Sequence, residues 1–235
     1  MSLLETALAV GRTAQISIAT VAESLRGGVS PERCDERLDW WAHELLRLAG
    51  ATIEVRGREH VPEGEAFLVM SNHRSFYDIP AIFCAVPGRL RMVAKKELFR
   101  VPVFGRAMTA SGFVKIDRQA RHSAIESLER SRKLLEGGVR VWIAPEGTRS
   151  YDGSLGPFKS GGFYLALDAG VRILPVAIEG TEQVIDRTSL VVHRGAHIRV
   201  TILPPVDAPS FGHERRKELI EVVRSRIAEA LGRAS

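Results

Sequence analysis

Residues 66–78 read Ala-Phe-Leu-Val-Met-Ser-Asn-His-Arg-Ser-Phe-Tyr-Asp, and the change of character inside that run decides the fold. Ala66 to Met70 is a short apolar run of the kind that forms a buried strand. A polar stretch follows, and Ser75-x-x-Asp78 then has the form of a capping box, which predicts a helix starting there. Six further β-rich runs surround this one: Thr52 to Val55, Arg91 to Ala94, Gly112 to Ile116, Val139 to Ile143, Ile173 to Ile178 and Ile198 to Leu203. Helical patterns such as Ser123 to Leu135 and Glu214 to Leu231 alternate with them. Such alternation implies βαβ units. The predicted fold is therefore α/β, a largely parallel twisted sheet of about seven strands flanked by helices. In sheets of this kind ligands gather outside the carboxyl ends of strands.

The first 50 residues read differently. Leu4, Leu8, Gly11, Ile18, Val21 and Leu25 share one side of a predicted helix over 3–25, with Glu5, Arg12, Gln15, Glu23 and Arg26 on the other. Gly27-Gly28 ends it, and Ser30-Pro31 starts a second helix with Ser as N-cap and Pro at the first helical position. Cys34, Leu38, Trp41, Leu45 and Leu48 recur in it at helical spacing, and Gly50 closes it. The expected organisation is an N-terminal two-helix membrane-docking module over 1–50, followed by one α/β domain over 51–235.

Composition narrows the function classes. The chain has 235 residues, 45% of them apolar, and a net charge of +5, as expected of a globular domain rather than a disordered one. The longest stretches free of Asp, Glu, Lys and Arg, Thr13 to Ala22 and Ile79 to Gly88, are far shorter than the about 20 apolar residues of a bilayer span. The start MSLLETALAV, with Glu5 and no basic cluster, does not read as a secretory signal. Cys34 and Cys84 match no metal or redox spacing and are expected to be packed thiols in a reducing compartment. Between Arg89 and Lys133 stand twelve Lys or Arg against four Asp or Glu, a local excess that favours an anionic partner. With aromatics at 6% and neither a zinc-finger spacing nor an RNP-like strand, nucleic acid is not expected to be that partner.

Chemistry-bearing residues cluster at the ends of the strand-like runs. On a regular helix, His73 and Asp78 would point about 140° apart at 3.6 residues per turn, so they meet only if the chain bends between them. Ser75 supplies that bend, leaving His73 in a loop and Asp78 in the first helical turn. A carboxylate on one imidazole nitrogen sets the tautomer, and the other nitrogen can then take a proton from a hydroxyl. The plainer alternative is an Asp78 that only caps a helix beside a loop histidine. No Gly-x-Ser-x-Gly elbow occurs and Cys84 lies in an apolar run, so if His73 is a base, the nucleophile it activates is expected to belong to the substrate. His193 and His197 lack a third ligand, no metal site is expected, and no Walker A pattern is present. Arg118 and Arg149 at strand ends offer guanidinium forks for phosphate. Gly147 allows a tight turn there, Thr148 adds a hydroxyl, and Lys159 follows in a Gly/Ser-rich stretch. Together they suggest a phosphate-bearing alcohol held near His73.

These residues resemble, in order and in content, the glycerolipid acyltransferases of the lysophosphatidic acid acyltransferase type. Asn72-His73 with Asp78 is similar to that family's N-H-x4-D block. Gly112 to Arg118 resembles its second block, Glu146-Gly147-Thr148-Arg149-Ser150 its third and Leu174-Pro175-Val176 its fourth. The resemblance implies an O-acyltransferase in which His73 is the general base, oriented by Asp78, for attack of the acceptor hydroxyl on a thioester of coenzyme A or acyl carrier protein. It implies no cofactor beyond that co-substrate. Arg118, Glu146, Gly147, Thr148 and Arg149 would hold the phosphate of 1-acyl-glycerol-3-phosphate, giving phosphatidic acid, and Pro175 would lie near the donor. Lys115 departs from the second block, where an apolar residue is usual; it either pairs with neighbours of Asp117 or is a further candidate for the phosphate.

Three other functions compete. One is acyl transfer to another lysolipid, such as a lysophospholipid or a lyso-ornithine lipid. The second is a non-catalytic protein that docks on anionic membrane, and the third is a thioesterase. Because a lysolipid is met at a bilayer surface, the resemblance implies a peripheral enzyme on the cytoplasmic face of the membrane. The first helix, together with Trp40 just off the stripe of the second, would lie along that face, and Arg89, Arg91, Lys95, Lys96 and Arg100 would attract anionic lipid or the donor's phosphates.

Overall fold

The computed structural model describes residues 3–117, 121–150, 154–185 and 191–232. Two helices come first, α1 (Leu3–Ser24) and α2 (Pro31–Leu48). There follow β1 (Thr52–Arg56), β2 (Phe67–Ser71), α3 (Asp78–Ala85), β3 (Leu90–Lys95), α4 (Phe104–Ala110), β4 (Val114–Ile116) and α5 (Arg121–Glu136). The chain closes with β5 (Arg140–Ile143), α6 (Gly161–Asp168), β6 (Arg172–Glu179), β7 (His197–Ile202) and α7 (Arg216–Ala230). The strands form one seven-stranded sheet in the order β1-β7-β6-β2-β5-β3-β4. Every neighbouring pair is parallel except β6 with β7. The fold is thus the largely parallel α/β sheet expected, with β1 and β7 running against the other five strands.

Strand β2 shows why the sheet needs helices on both faces. All five of its residues are buried, and side chains alternate across a strand. Phe67 and Val69 join a cluster with residues of α2 and α3. Leu68 and Met70 join a second cluster with residues of α6 and α7. The carboxyl ends of β2, β3, β4, β5 and β6 open on one edge, where the functional residues lie.

Two helices escape the sequence pattern, α4 and α6. Helix α6 starts at Gly161-Gly162, and glycine is a poor helix former. Its place is set by approach to the sheet: a Cβ on Gly162 would stand 2.1 Å from Ile143 Cδ1 and 3.1 Å from Met70 Cε. The start of α3 also differs from a simple capping box. The helix begins at Asp78, with Tyr77 rather than Ser75 in the capping position. The reach-back arm is present, Ser75 N donating to Asp78 Oδ2 at 3.0 Å. The Ser75 hydroxyl instead accepts from Tyr77 N at 3.2 Å and donates to Ile185 O at 2.7 Å.

Ser30 caps α2 as expected, accepting from Arg33 N. The pairs Arg12–Glu44 (3.0 Å) and Arg37–Glu23 (2.7 Å) show that α1 and α2 run antiparallel. The stripe on α1, however, faces outward. Leu3, Leu4, Leu8, Val10, Ile18 and Leu25 are exposed, whereas Glu5, Ser17 and Thr20 are buried. Among the described residues, no helix is long and apolar enough to cross a membrane.

The basic segment is less free than its composition suggests. Arg91, 6% exposed, donates to Asp35 at 2.5 Å, and Arg89 pairs with Glu32 and Asp35. Both arginines tie α2 to the start of β3, and for Arg91 this corrects the expectation that it attracts lipid or donor: a buried guanidinium bonded to Asp35 does not reach a phosphate outside, whereas the Arg89 pair lies at the surface.

Candidate active site

Three backbone elements bring the site together. The chain leaves β2 through Asn72, whose side chain donates to Ile178 O and accepts from Ile178 N, both at 2.8 Å. That pair of bonds clamps the end of β2 to β6 and presents the next residue, His73, at the sheet edge. Ser150 N donates to His73 O at 2.9 Å, tying the loop to the segment after β5.

The imidazole and carboxylate meet as the bend requires, His73 Nδ1 lying 2.7 Å from Asp78 Oδ2. Asp78 is 0% exposed. Its Oδ2 also accepts from Arg74 N (2.7 Å) and Ser75 N (3.0 Å), and its Oδ1 from the Thr181 hydroxyl (2.5 Å). A buried carboxylate is tolerated only when so satisfied. With Nδ1 engaged, the geometry leaves Nε2 for an acceptor proton. The Trp142 ring stands nearly perpendicular to the imidazole, with ring centroids 6.3 Å apart and planes at 89°. Trp142 is itself held by its Nε1 donating to Ser71 Oγ at 2.9 Å.

Glu146 occupies a place distinct from a phosphate cradle. Its Oε1 accepts from His73 N and its Oε2 from Gly156 N, both at 2.9 Å. Burial pushes its carboxyl above the ordinary 4.5, and those two N–H groups pull it partly back. Both oxygens are spent on backbone donors, so the carboxylate holds the loop that carries His73.

His73 opens on a cavity of about 560 Å³, lined among others by Lys95, Lys96, Asp117, Trp142, Gly147, Thr148 and Arg149. The Arg149 guanidinium stacks on Phe76, 4.2 Å from the ring centroid, and Lys96 bonds Asp117 at 2.6 Å. Phe76, Ile79, Met92 and Leu98 also line a second cavity of about 200 Å³ between α1, α2 and α4, whose walls are nearly all apolar. A chamber of mixed character, with Lys95, Lys96 and Arg149 beside Glu97 and Asp117, thus adjoins an apolar one, with His73 in the first.

The remaining expected residues fall as follows. Arg118 lies outside the described residues. Lys115 is exposed on β4 and lines neither cavity. Lys159 is exposed and packs its stem against Gly147, where a Cβ would meet its Cε at 3.0 Å. Pro175 is buried in mid-strand, opposite Met70, and lines neither cavity. Its neighbours Ile173 and Val176 pair with Val206 and Ile202, so one extra residue on the far strand forms a bulge beside it. A bulge is where a sheet tolerates a residue without N–H. Among the described residues, no group of His, Cys, Asp and Glu could hold a metal. Burial pushes the Cys84 thiol up to about 12, so it stays protonated and inert.

Sequence reasoning missed Thr181, which stands 103 positions from Asp78 and has no local motif. Trp142 was also missed, although an indole in a buried strand needs a partner for its N–H and so signals a nearby acceptor.

Comparison with known proteins bears on this arrangement. A family model described as Acyltransferase matches residues 52–179, a segment that contains all four blocks. The 1-acyl-sn-glycerol-3-phosphate acyltransferase alpha of Mus musculus is 33% identical over 194 residues, 79% of this chain and 68% of its own. The 1-acyl-sn-glycerol-3-phosphate acyltransferase of Haemophilus influenzae is 29% identical over 194 residues, 80% of each chain. The crystal structure of the 1-acyl-sn-glycerophosphate (LPA) acyltransferase PlsC from Thermotoga maritima superposes with a TM-score of 0.77 at 28% identity. That likeness covers 99% of this chain and 97% of the other.

Proposed function

The chain belongs to the Acyltransferase family, and we propose that it moves a fatty acyl group from a coenzyme A or acyl carrier protein thioester to the free hydroxyl of 1-acyl-glycerol-3-phosphate. The product is phosphatidic acid. The observation that carries this reading is the His73 Nδ1–Asp78 Oδ2 bond of 2.7 Å at the wall of a chamber that Arg149 and Thr148 also line. The names of the relatives supply the acceptor.

In this reading His73 Nε2 takes the hydroxyl proton as the oxygen attacks the thioester carbonyl. The tetrahedral intermediate collapses, the C–S bond breaks, and the imidazolium returns its proton to the departing thiolate. No acyl-enzyme forms. A positioned base contributes about 10²–10⁴-fold, and Asp78 stabilises the imidazolium. Arg149, Thr148 and Gly147, with Arg118, hold the phosphate, and that anchorage supplies orientation. Glu146 acts on the reaction through the His73 loop. The apolar cavity offers a berth for an acyl chain. The outward leucines of α1 lie on an anionic membrane at its cytoplasmic face, with Lys95 and Arg100 toward lipid or donor.

The test is an assay of purified protein with acyl-CoA or acyl carrier protein thioester against a panel of lysolipids. Preferential turnover of lysophosphatidic acid is expected, and indifference to the phosphate monoester overturns the acceptor. His73→Ala is expected to abolish transfer while vesicle binding persists, so transfer retained in that variant overturns the base. Release of free fatty acid at full rate without acceptor would identify a thioesterase.

A further inference from the structure

We infer that Thr181 is a positioning residue for the His73–Asp78 pair, an inference that rests on the reading of that pair proposed above. The chain leaves β6 through Gly180, which has φ +85°, and a Cβ there would lie 2.1 Å from His197 O. Glycine is therefore required for the chain to turn back at this point. The turn opens a short 3-10 segment, Thr181–Gln183, whose first residue is 0% exposed.

The Thr181 hydroxyl donates to Asp78 Oδ1 at 2.5 Å. Among the described residues it is the one donor to that oxygen, whereas Oδ2 is shared by His73 Nδ1, Arg74 N and Ser75 N. The carboxylate is held from opposite sides: by the histidine loop through one oxygen and by the β6 turn through the other. Rotation about its Cβ–Cγ bond sets where Oδ2 points, and hence how squarely it meets the imidazole. Removing the hydroxyl leaves a wholly buried charged oxygen without a donor, and the group relaxes by rotating or by admitting water. Two more contacts join the same turn to the same loop. Arg74 Nη1 donates to Glu182 Oε1 at 3.1 Å, and Ser75 Oγ to Ile185 O at 2.7 Å. The loop therefore stays docked when Thr181 is altered, and the effect is confined to the carboxylate.

Three variants test this. Thr181→Val keeps the shape and removes the donor; kcat is expected to fall about tenfold to a hundredfold, the scale of one hydrogen bond to a charged group. KM for thioester and lysolipid should be essentially unchanged, because neither ground-state contact is touched. Thr181→Ser restores the donor and should recover most of kcat, even if it is no more heat-stable than the Val variant. Wild-type kcat in Thr181→Val overturns the inference, as does a Ser variant as slow as Val. Should the Val variant not fold, Thr181→Ala is compared with Ser on the same criterion. His73→Ala is assayed alongside. An inactive His73→Ala with a fully active Thr181→Val defeats this inference alone, whereas an active His73→Ala defeats it together with the base assignment.

Discussion

Helices α1 and α2 lie antiparallel side by side and are amphipathic in opposite senses with respect to the protein. Helix α2 buries Cys34, Leu38, Ala42, Leu45 and Leu46 in a cluster shared with α3 and the sheet. Helix α1 buries Glu5, Ser17 and Thr20 and turns its leucines to the outside. The seam between the two is polar: Arg37 reaches Thr20 (2.8 Å) and Glu23 (2.7 Å), Trp41 Nε1 reaches Thr13 Oγ1 (3.0 Å), and Arg12 reaches Glu44 (3.0 Å). Two helices of similar length thus do different work. Helix α2 is held by the hydrophobic effect, while α1 meets α2 through hydrogen bonds and ion pairs and leaves its leucines exposed.

Substitutions should separate the two helices, and the largest effect is expected on α2. Leu45 is 7% exposed, and Leu45→Ala should cost about 2–5 kcal/mol in chemical denaturation. A cost near zero would break the contrast. On the seam, Trp41→Phe removes the bond to Thr13 and should cost about 0.5–1.5 kcal/mol. On α1, replacing Leu3, Leu4, Leu8 and Ile18 by Ser should change stability by no more than about 0.5 kcal/mol each. Cosedimentation of that variant with anionic vesicles should nevertheless drop sharply; undiminished binding would show that α1 is not the docking surface.

The smallest expected effect is one of pH. Arg37 holds the Glu23 carboxyl below its ordinary 4.5, first through its hydrogen bond. A lowered folded value means that the contribution is present above pH 4.5 and is lost as pH falls through the folded value. Hydrogen exchange of α1 amides, corrected for intrinsic rates, should rise in that range and in high salt, while that of α2 amides should not. Equal responses in both helices would mean that the seam is not ionic.

Legibility in the sequence tracks the distance over which each feature is decided. The strand runs around Phe67–Ser71 and Arg140–Ile143 were readable, because burial on both faces demands continuous apolar residues. The Ser30 cap and the Gly27-Gly28 break were readable because capping is a contact within a few residues. Helix α6 was not readable, since Gly161 and Gly162 argue against a helix until Ile143 and Met70 stand behind them. The meeting of His73 and Asp78 was readable from five-residue spacing and a bend, but the roles of Glu146 and Thr181 were not. Their partners His73 and Asp78 lie 73 and 103 positions away.

By itself, the sequence determined the α/β class, which follows from periodicity and is local in the chain, and its four ordered blocks carried the resemblance to the family. The spacing of His73 and Asp78 with a bend between them allowed the pair to meet but left open an Asp78 that only caps a helix. Tertiary structure alone decided which way α1 faces, that Arg91 is buried against α2, and that a turn after β6 holds Asp78 from behind. Each of these depends on how distant segments close on one another, and packing of the whole core sets that closure.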